Sequence, residues 1–385
     1  IHFDRSGSLT VALYDEQVPV LQELAKRSEQ NGINVKLLSA DEVKKMEPNI
    51  SSKVKGALFA PTAGIIDPFT TVVHAIENAV DNGAVLFLNN RVNSISKENG
   101  KFLVKTNKNV FYSKIVINCA GVYSDKIAAM IEDIDWKTTP RRGEYFVLDH
   151  FAYGFVNHTI FPLPSEKGKG ILITPTTSGN YLMGPSSEII DDYDDVSTDK
   201  PTLDIVKNQI LDMVPSVPLN KIIRTFAGNR PTTTRHDFII EYAKTDKNFI
   251  NVAGIESPGF VSSPAIAKYV VEELVNGVIS LKEKSEYNPR VRKHPIMFDL
   301  TNEERIEFVN KNPEYGQIIC NCEKISLGEI KDTLNRNVAP TTIKGVKKRC
   351  RAGFGKCQGG FCQSRVVEIL AKHYGLSPLD ILYSD

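Results

Sequence analysis

Residues 116–125 read Val-Ile-Asn-Cys-Ala-Gly-Val-Tyr-Ser-Asp, and residues 249–260 read Phe-Ile-Asn-Val-Ala-Gly-Ile-Glu-Ser-Pro-Gly-Phe. Each is a short apolar run that ends on a small residue and a glycine. Lys114 to Ala120 reads as a buried strand running into Gly121, and Phe249 to Ala253 as a second one entering the loop Gly254–Phe260. A helix is expected after that loop, with Ser263 as N-cap, Pro264 at its first position and Gly277 past its end. Its N-terminus would attract negative charge. Small residues at such strand ends let a bound molecule approach the backbone.

Working outward, Asp67 and Pro68 open a helix through Asn82, with Val72, Val73, Ile76, Ala79 and Val80 at helical spacing. Ala84 to Leu88 then reads as a short apolar strand, and alternating segments continue through Val110. Helix, strand, hairpin and buried strand in this order suggest an α/β domain with a β-meander. Residues 1–60 mix a strand-like run, Ser8 to Tyr14, with a helical stretch, Glu16 to Asn31. Residues 140–235 carry short β-like runs (Tyr145 to Leu148, Gly170 to Thr174, Tyr181 to Gly184) between Gly, Pro, Ser and Thr, which suggests a mostly antiparallel sheet. Asp191 to Asp195 reads as a solvated acidic turn. Residues 278–311 are charged, contain Pro289 and Pro295, and read as a partly ordered linker.

The chain has 385 residues, enough for two or three domains, and its 41% apolar and 24% charged residues exclude a mostly disordered chain. With 47 Lys and Arg against 46 Asp and Glu, the net charge of +1 argues against a whole-surface nucleic-acid binder. No apolar run approaches the roughly 18 residues of a membrane span.

Five of the six cysteines fall near the end. Cys320-x-Cys322 is followed, after thirty-four residues, by Cys357-x4-Cys362, with Cys350 seven residues before Cys357. Four thiolates in two close pairs suit tetrahedral zinc or a [2Fe–2S] cluster, and the C-x-C pair leans towards iron. Ser326-x-x-Glu329 is a capping box directly after the first pair. Gly353, Gly355, Gly359 and Gly360 let the backbone come close to sulfur, and Cys362 opens a helix to Tyr374. The basic run Lys344, Lys347, Lys348, Arg349, Arg351, Lys356 reads either as nucleic-acid contact or, preferably, as compensation for an anionic cluster.

The segments Ile319-Cys-Asn-Cys-Glu-Lys-Ile-Ser and Arg351-Ala-Gly-Phe-Gly-Lys-Cys-Gln-Gly-Gly-Phe-Cys362 resemble the bacterioferritin-associated-ferredoxin-like [2Fe–2S] domain. The match is to the version at the C-terminus of FAD-dependent, anaerobic-type glycerol-3-phosphate dehydrogenases. The resemblance implies Cys320, Cys322, Cys357 and Cys362 as ligands and leaves Cys350 out. Residues 5–277 resemble the same family, within the D-amino-acid-oxidase-like flavoprotein superfamily. Four stretches carry it, beginning at Val116, Gly170, Ala227 and Asn251. It implies FAD against Val92, Ala120, Gly121, Gly254, Ile255, Ser257, Pro258, Gly259 and Phe260.

The implied fold class is α/β with an α+β substrate domain. Residues 1–60 and 131–234 would form a mostly antiparallel substrate-binding sheet. Residues 61–130 and 235–277 would form an incomplete FAD-binding Rossmann-like domain, 278–311 the linker, and 312–385 the small helical [2Fe–2S] domain. Arg230 offers a bidentate fork to a carboxylate or phosphate, and by resemblance clamps the substrate anion. Arg142 is a second candidate. His158 and Tyr145 are weaker candidates for proton transfer.

Two features depart from the family. No G-x-G-x-x-G fingerprint is present, so this chain by itself is expected to bind FAD poorly and to be inactive. The loop after Gly259 lacks the Gly-Lys-Leu-Thr-Thr stretch of the aerobic glycerol-3-phosphate enzymes and looks more like L-2-hydroxyglutarate oxidases. Yet Ile171 to Thr174 lacks the histidine of the latter. The expected activity is FAD-dependent oxidation of glycerol 3-phosphate or a similar small anionic secondary alcohol, with electrons leaving through the cluster to an acceptor protein or the membrane quinone pool. The alternatives are an L-2-hydroxy-acid dehydrogenase, a non-enzymatic cluster-bearing binding protein, and a structural zinc module. No nucleic-acid partner and no transmembrane segment are expected. The expected location is cytoplasmic, with peripheral attachment at the inner membrane left open.

Overall fold

Residues 1–150, 154–165 and 170–384 are described by the computed structural model. Its largest element is a nine-stranded sheet. The order runs Glu188–Ile189, Thr138–Leu148, Tyr181–Gly184, Leu172–Pro175, Thr159–Phe161, Ser8–Ala12, Gly56–Ala60, Lys36–Ser39, and Ile222–Thr233 also pairs with Thr138–Leu148. All pairs are antiparallel except Thr159–Phe161 with Ser8–Ala12.

One face of this sheet is closed by the helix Lys200–Met213. Asp199 caps it, its Oδ1 accepting the Thr202 N–H at 2.9 Å, and Pro201 sits in the first turn where its missing N–H costs nothing. Val206, Ile210 and Met213 pack on Leu9, Ile160, Ile173 and Met183. Each such side chain contributes roughly 1.5–3 kcal/mol on burial.

A second, smaller sheet joins Ile239–Tyr242, Phe249–Ala253 and Val116–Asn118, the last two parallel. Beside it lies the meander Val92–Glu98, Lys101–Thr106, Val110–Ser113. The helix Pro68–Asp81 forms with Asp67 as N-cap, as its sequence requires. The body is thus a mixed α/β arrangement, and the C-terminal region is smaller and mostly helical. There the helices Leu327–Leu334, Ile343–Cys350 and Gln363–Tyr374 pack around Ile330, Val346, Val366 and Leu370. Among the described residues no helix is long and apolar enough to cross a membrane.

Three local expectations change. Ala84 to Leu88 is not a strand: Val85, Leu86, Phe87 and Leu88 are exposed, because no neighbouring strand among the described residues offers hydrogen bonds. The strand expected over Lys114 to Ala120 spans only Val116–Asn118, the stretch that pairs with Phe249–Ala253. The helix expected from Ser263 begins a turn earlier and runs Gly259–Tyr269, with Pro264 inside it. The Ser263 hydroxyl donates to the Phe260 carbonyl at 2.8 Å, the acceptor that the Pro264 ring leaves without its N–H. An ordered part of the segment read as a partly ordered linker is Asn302–Lys311, a helix with a complete Thr301–Glu304 capping box, an element the sequence reading did not specify.

Candidate active site and cluster site

Strands Thr138–Leu148 and Ile222–Thr233 pair in register from Thr138↔Thr233 to Val147↔Arg224. Opposed residues of an antiparallel pair point to one face, and faces alternate along the strand. One face therefore carries, in order, Arg141 with Arg230, Gly143 with Gly228, Tyr145 with Phe226, and Val147 with Arg224. The other face, which bears helix Lys200–Met213, carries Arg142 and Glu144.

On the first face the Arg230 guanidinium donates to the Ser186 carbonyl at 2.7 Å and to the Arg141 carbonyl at 3.3 Å. It has no carboxylate partner among the described residues. Burial pushes its pKa below the ordinary value, and the charge of Arg141 adds to this. A β-carbon on Gly143 would stand 2.9 Å from Pro185 Cβ and 3.1 Å from Arg230 Nη2, so only glycine lets the guanidinium lie across the strand. Arg141 donates to Glu256, whose carboxylate also accepts from Thr232 Oγ1 at 3.3 Å, while Arg141 Nε is buried without a partner. Two guanidiniums thus stand on this face with a single carboxylate, bonded to Arg141 alone, leaving net positive charge and an unused donor at a half-buried point. Beyond it, space is open over Gly228, and Tyr145 stacks on Phe226 with ring centroids 5.0 Å apart and 4° between planes. Burial pushes the Tyr145 phenol up, so it stays protonated.

Arg142 cannot take a substrate anion, contrary to its standing as second candidate. It is buried on the helix side, where it meets Glu144 at 3.2 Å, Asp195 at 2.6 Å, Asp199 at 3.0 Å and Glu188 at 3.4 Å. Asp195 therefore does structural work inside the loop read as a solvated turn. His158 is tied through Nδ1 to the buried Glu47 at 2.6 Å and packs edge-on against Phe59. Its strand lies three positions from Thr138–Leu148 in the sheet, roughly 14 Å at the usual inter-strand spacing.

Glu256 belongs to the loop 254–258, which links this face to the smaller sheet. The parallel pairing Asn118↔Asn251 brings that loop and residues 119–121 to the same carboxyl edge, where ligands of parallel sheets bind. Asn118 Nδ2 fastens the two strand ends by donating to Asn251 Oδ1 at 2.9 Å and to the Ser124 carbonyl at 2.8 Å. Ala120, Gly121, Ser257, Pro258 and Phe260 are exposed there, Ile255 is half-buried, and Gly254 and Gly259 are buried. Helix Gly259–Tyr269 starts at this edge with first-turn N–H groups that lack intrahelical acceptors. An exposed backbone rim with a helix N-terminus fits the anionic pyrimidine of a reduced flavin. Val92 stands half-buried at the start of the meander.

The four cysteines expected as ligands converge. Cys322 and Cys357 are half-buried with Sγ atoms 3.5 Å apart, and Cys320 and Cys362 lie beneath them. Burial and the neighbouring Cys320 push the Cys362 thiol up to about 12. Burial also pushes Cys357 up, but the N–H groups of Phe361, Gly359 and Gly360 and the Cys322 thiol outweigh it and hold it below the ordinary value. The Gly353 N–H points at Cys320 Sγ at 3.5 Å. A β-carbon on Gly355 would fall 2.3 Å from Cys322 Cβ, so only glycine lets the backbone pass this close to Cys322. Four soft donors with N–H groups aimed at them fit an iron–sulfur cluster. Cys350 points away and donates to its own helix at the Val346 carbonyl, 3.4 Å.

Polar contacts seat this module on the body. Gln358, next to Cys357, accepts from Arg224 at 3.2 Å and from Lys347 at 3.1 Å. Arg351 bridges Glu323 and Asn180, both at 2.9 Å, and Arg336 grips the buried Glu77 at 2.6 and 2.7 Å. Arg224 stands four residues from Gly228 on the same face, roughly 13 Å along the strand. Arg141, Glu256, Arg224 and Gln358 were not legible as site residues. The adjacent arginines of Pro140-Arg-Arg-Gly143 were the one usable signal, since alternation sends one to each face.

The pattern described as "FAD dependent oxidoreductase" matches residues 1–273, and the "BFD-like [2Fe-2S] binding domain" matches residues 318–372. A glycerol 3-phosphate dehydrogenase of Caloramator mitchellensis is 44% identical over 382 residues, 99% of this chain and 80% of the relative. A glycerol 3-phosphate oxidase of Mycoplasma genitalium is 33% identical over 74% of this chain and 75% of its own length. The FAD-bound, dithionite-reduced L-α-glycerophosphate oxidase from Mycoplasma pneumoniae superposes with a TM-score of 0.69 at 31% identity, over 73% of this chain and 75% of that one. The chain is a flavoprotein oxidoreductase with an appended cluster module. It belongs to the family of FAD dependent oxidoreductases and holds its [2Fe–2S] cluster in the BFD-like domain.

Proposed function

We propose that the chain oxidises glycerol 3-phosphate at its secondary alcohol and passes the electrons through the [2Fe–2S] cluster to an external acceptor, a protein or the quinone pool. The observation that carries this is the Arg141–Arg230 pair on one face of the sheet, of which only Arg141 has a carboxylate partner, with open space over the neighbouring Gly228. A phosphate dianion matches that charge and its several donors better than a single carboxylate.

In this reading the nine-stranded sheet is the substrate domain, and the smaller sheet with residues 119–121 and 254–260 is the flavin-binding part. Cys320, Cys322, Cys357 and Cys362 hold the cluster. Bound FAD would supply the acceptor for the hydride of the alcohol carbon, with the hydroxyl proton released to solvent, and the cluster would supply a one-electron exit. The residues of this chain do the positioning. Arg230 and Arg141 fix the phosphate, Glu256 orients Arg141, and the open space over Gly228 leaves room for the glycerol carbons. The Tyr145–Phe226 stack walls this space against water.

The test is anaerobic mixing of FAD-loaded protein with glycerol 3-phosphate or with L-2-hydroxyglutarate, followed by flavin absorbance. Bleaching by glycerol 3-phosphate alone is expected. Bleaching by the hydroxy acid alone would overturn the substrate assignment.

A further inference from the structure

We propose that the solvent side of the cluster loop is the docking surface for an acidic one-electron carrier protein. This deepens the proposed function and rests on it for the presence of the cluster.

From Thr333 to Val367 the chain has eight Lys and Arg and no Asp or Glu. Most of these cations are committed inside the molecule. Arg336 holds Glu77, Arg351 holds Glu323, Arg349 donates to the Val338 carbonyl, and Lys347 and Lys348 lie over Phe354 and Phe69. Compensation for cluster charge and domain seating account for them. Lys344 is half-buried, and Lys356 and Arg365 are left over. They are exposed, as is Lys324 two residues after Cys322, and none of the three has an ion-pair partner among the described residues. Each lies within three residues of a cluster ligand. No exposed residue within two positions of any of the four cysteines is acidic, and the nearest acid, Glu323, is buried against Arg351 and His150.

In the same loop as Lys356 and four residues before Arg365 is Phe361, 83% exposed between Cys357 and Cys362. Its own backbone N–H reaches the Cys357 sulfur. A large exposed apolar side chain next in sequence to a cluster cysteine, with exposed unpaired cations close by in the same segments, has the composition of an interface centre and steering rim. The opposite side of the loop is already occupied, since Gln358 is bound to Arg224. The outer side is therefore the free approach to the cluster, and its charge selects a partner with an acidic face.

The test uses the full chain, with iron content and visible spectrum verified beforehand so that a missing cluster is distinguished from missing docking. Titration calorimetry at low salt is run against two oxidised haem carriers, the acidic soluble domain of cytochrome b5 and the basic cytochrome c. Binding of the acidic carrier is expected, weakening at least tenfold at 0.5 M salt. K356E/R365E should weaken it at least tenfold, F361A several-fold, and K282E in the distant exposed linker not at all. Equal affinity for both carriers, or K356E/R365E binding like the unaltered chain with iron retained, would overturn the proposal. So would a cationic rim that instead retains the protein on phosphatidylglycerol vesicles while cytochrome b5 goes unbound.

Discussion

Arg141 and Arg142 are neighbours in the chain and face opposite sides of one strand. The difference decides their work. Arg141 shares Glu256 with the site and keeps a free Nε, whereas Arg142 is enclosed by four carboxylates. Replacing Arg230 by Ala should lower kcat/KM for glycerol 3-phosphate on the order of 10- to 100-fold, mostly through KM, as loss of a charged hydrogen-bond partner predicts. Steady-state kinetics check this, and an unchanged KM would contradict it. Replacing Arg142 by Ala should act on folding instead. It strands the fully buried Glu144, whose carboxyl burial already pushes up, and should cost about 3–5 kcal/mol in urea unfolding. Arg230 stood out in the sequence because Gly228-Asn-Arg-Pro231 carries a resemblance, and it is proposed as the anion clamp. Arg142 was misread because the acids that capture it come from positions 188, 195 and 199, which no local pattern connects to 142.

At the level of elements, local signals were read well. The Asp67 cap, the Ser326–Glu329 capping box and the helix opened by Cys362 are set by residues a few positions apart, and each forms. Ser326→Ala should cost about 1 kcal/mol, seen in thermal or urea unfolding of the cluster region. What failed needed a distant neighbour, as at Ala84 to Leu88, where an apolar run finds no strand to pair with. The linker shows how such long-range contacts hold. Asp332, on helix Leu327–Leu334, receives Arg292 at 2.7 Å and His294 at 2.9 Å. Burial pushes the Asp332 carboxyl up, but His294, Arg292 and Arg336 outweigh it and hold it below the ordinary value. A depressed folded pKa means the contribution is complete above the unfolded value, about 3.9, and is lost as pH falls through the folded value. Stability of the unaltered chain should therefore drop more steeply with acid in that window than that of Asp332→Asn. Parallel curves would show that the contact contributes nothing.

On the scale of the whole molecule, one ribbon joins the proposed substrate site to the cluster cysteines. The face that carries Arg230, Gly228 and Phe226 continues to Arg224, and Arg224 holds Gln358 beside Cys357. The two-part organisation was legible from the clustering of cysteines at the end of the chain. The seating of one part on the other was not, because it depends on single polar pairs such as Arg224–Gln358 and Arg351–Asn180. Arg224→Ala should leave flavin reduction by substrate unchanged and slow the subsequent reduction of the cluster, as read by stopped-flow absorbance at two wavelengths.

The most direct measurement is an anaerobic titration of the FAD-loaded, iron-loaded chain with glycerol 3-phosphate, followed by low-temperature electron paramagnetic resonance. Substrate alone should produce the signal of a reduced [2Fe–2S] cluster. Flavin bleaching with no iron–sulfur signal, from a sample whose cluster dithionite does reduce, would contradict it.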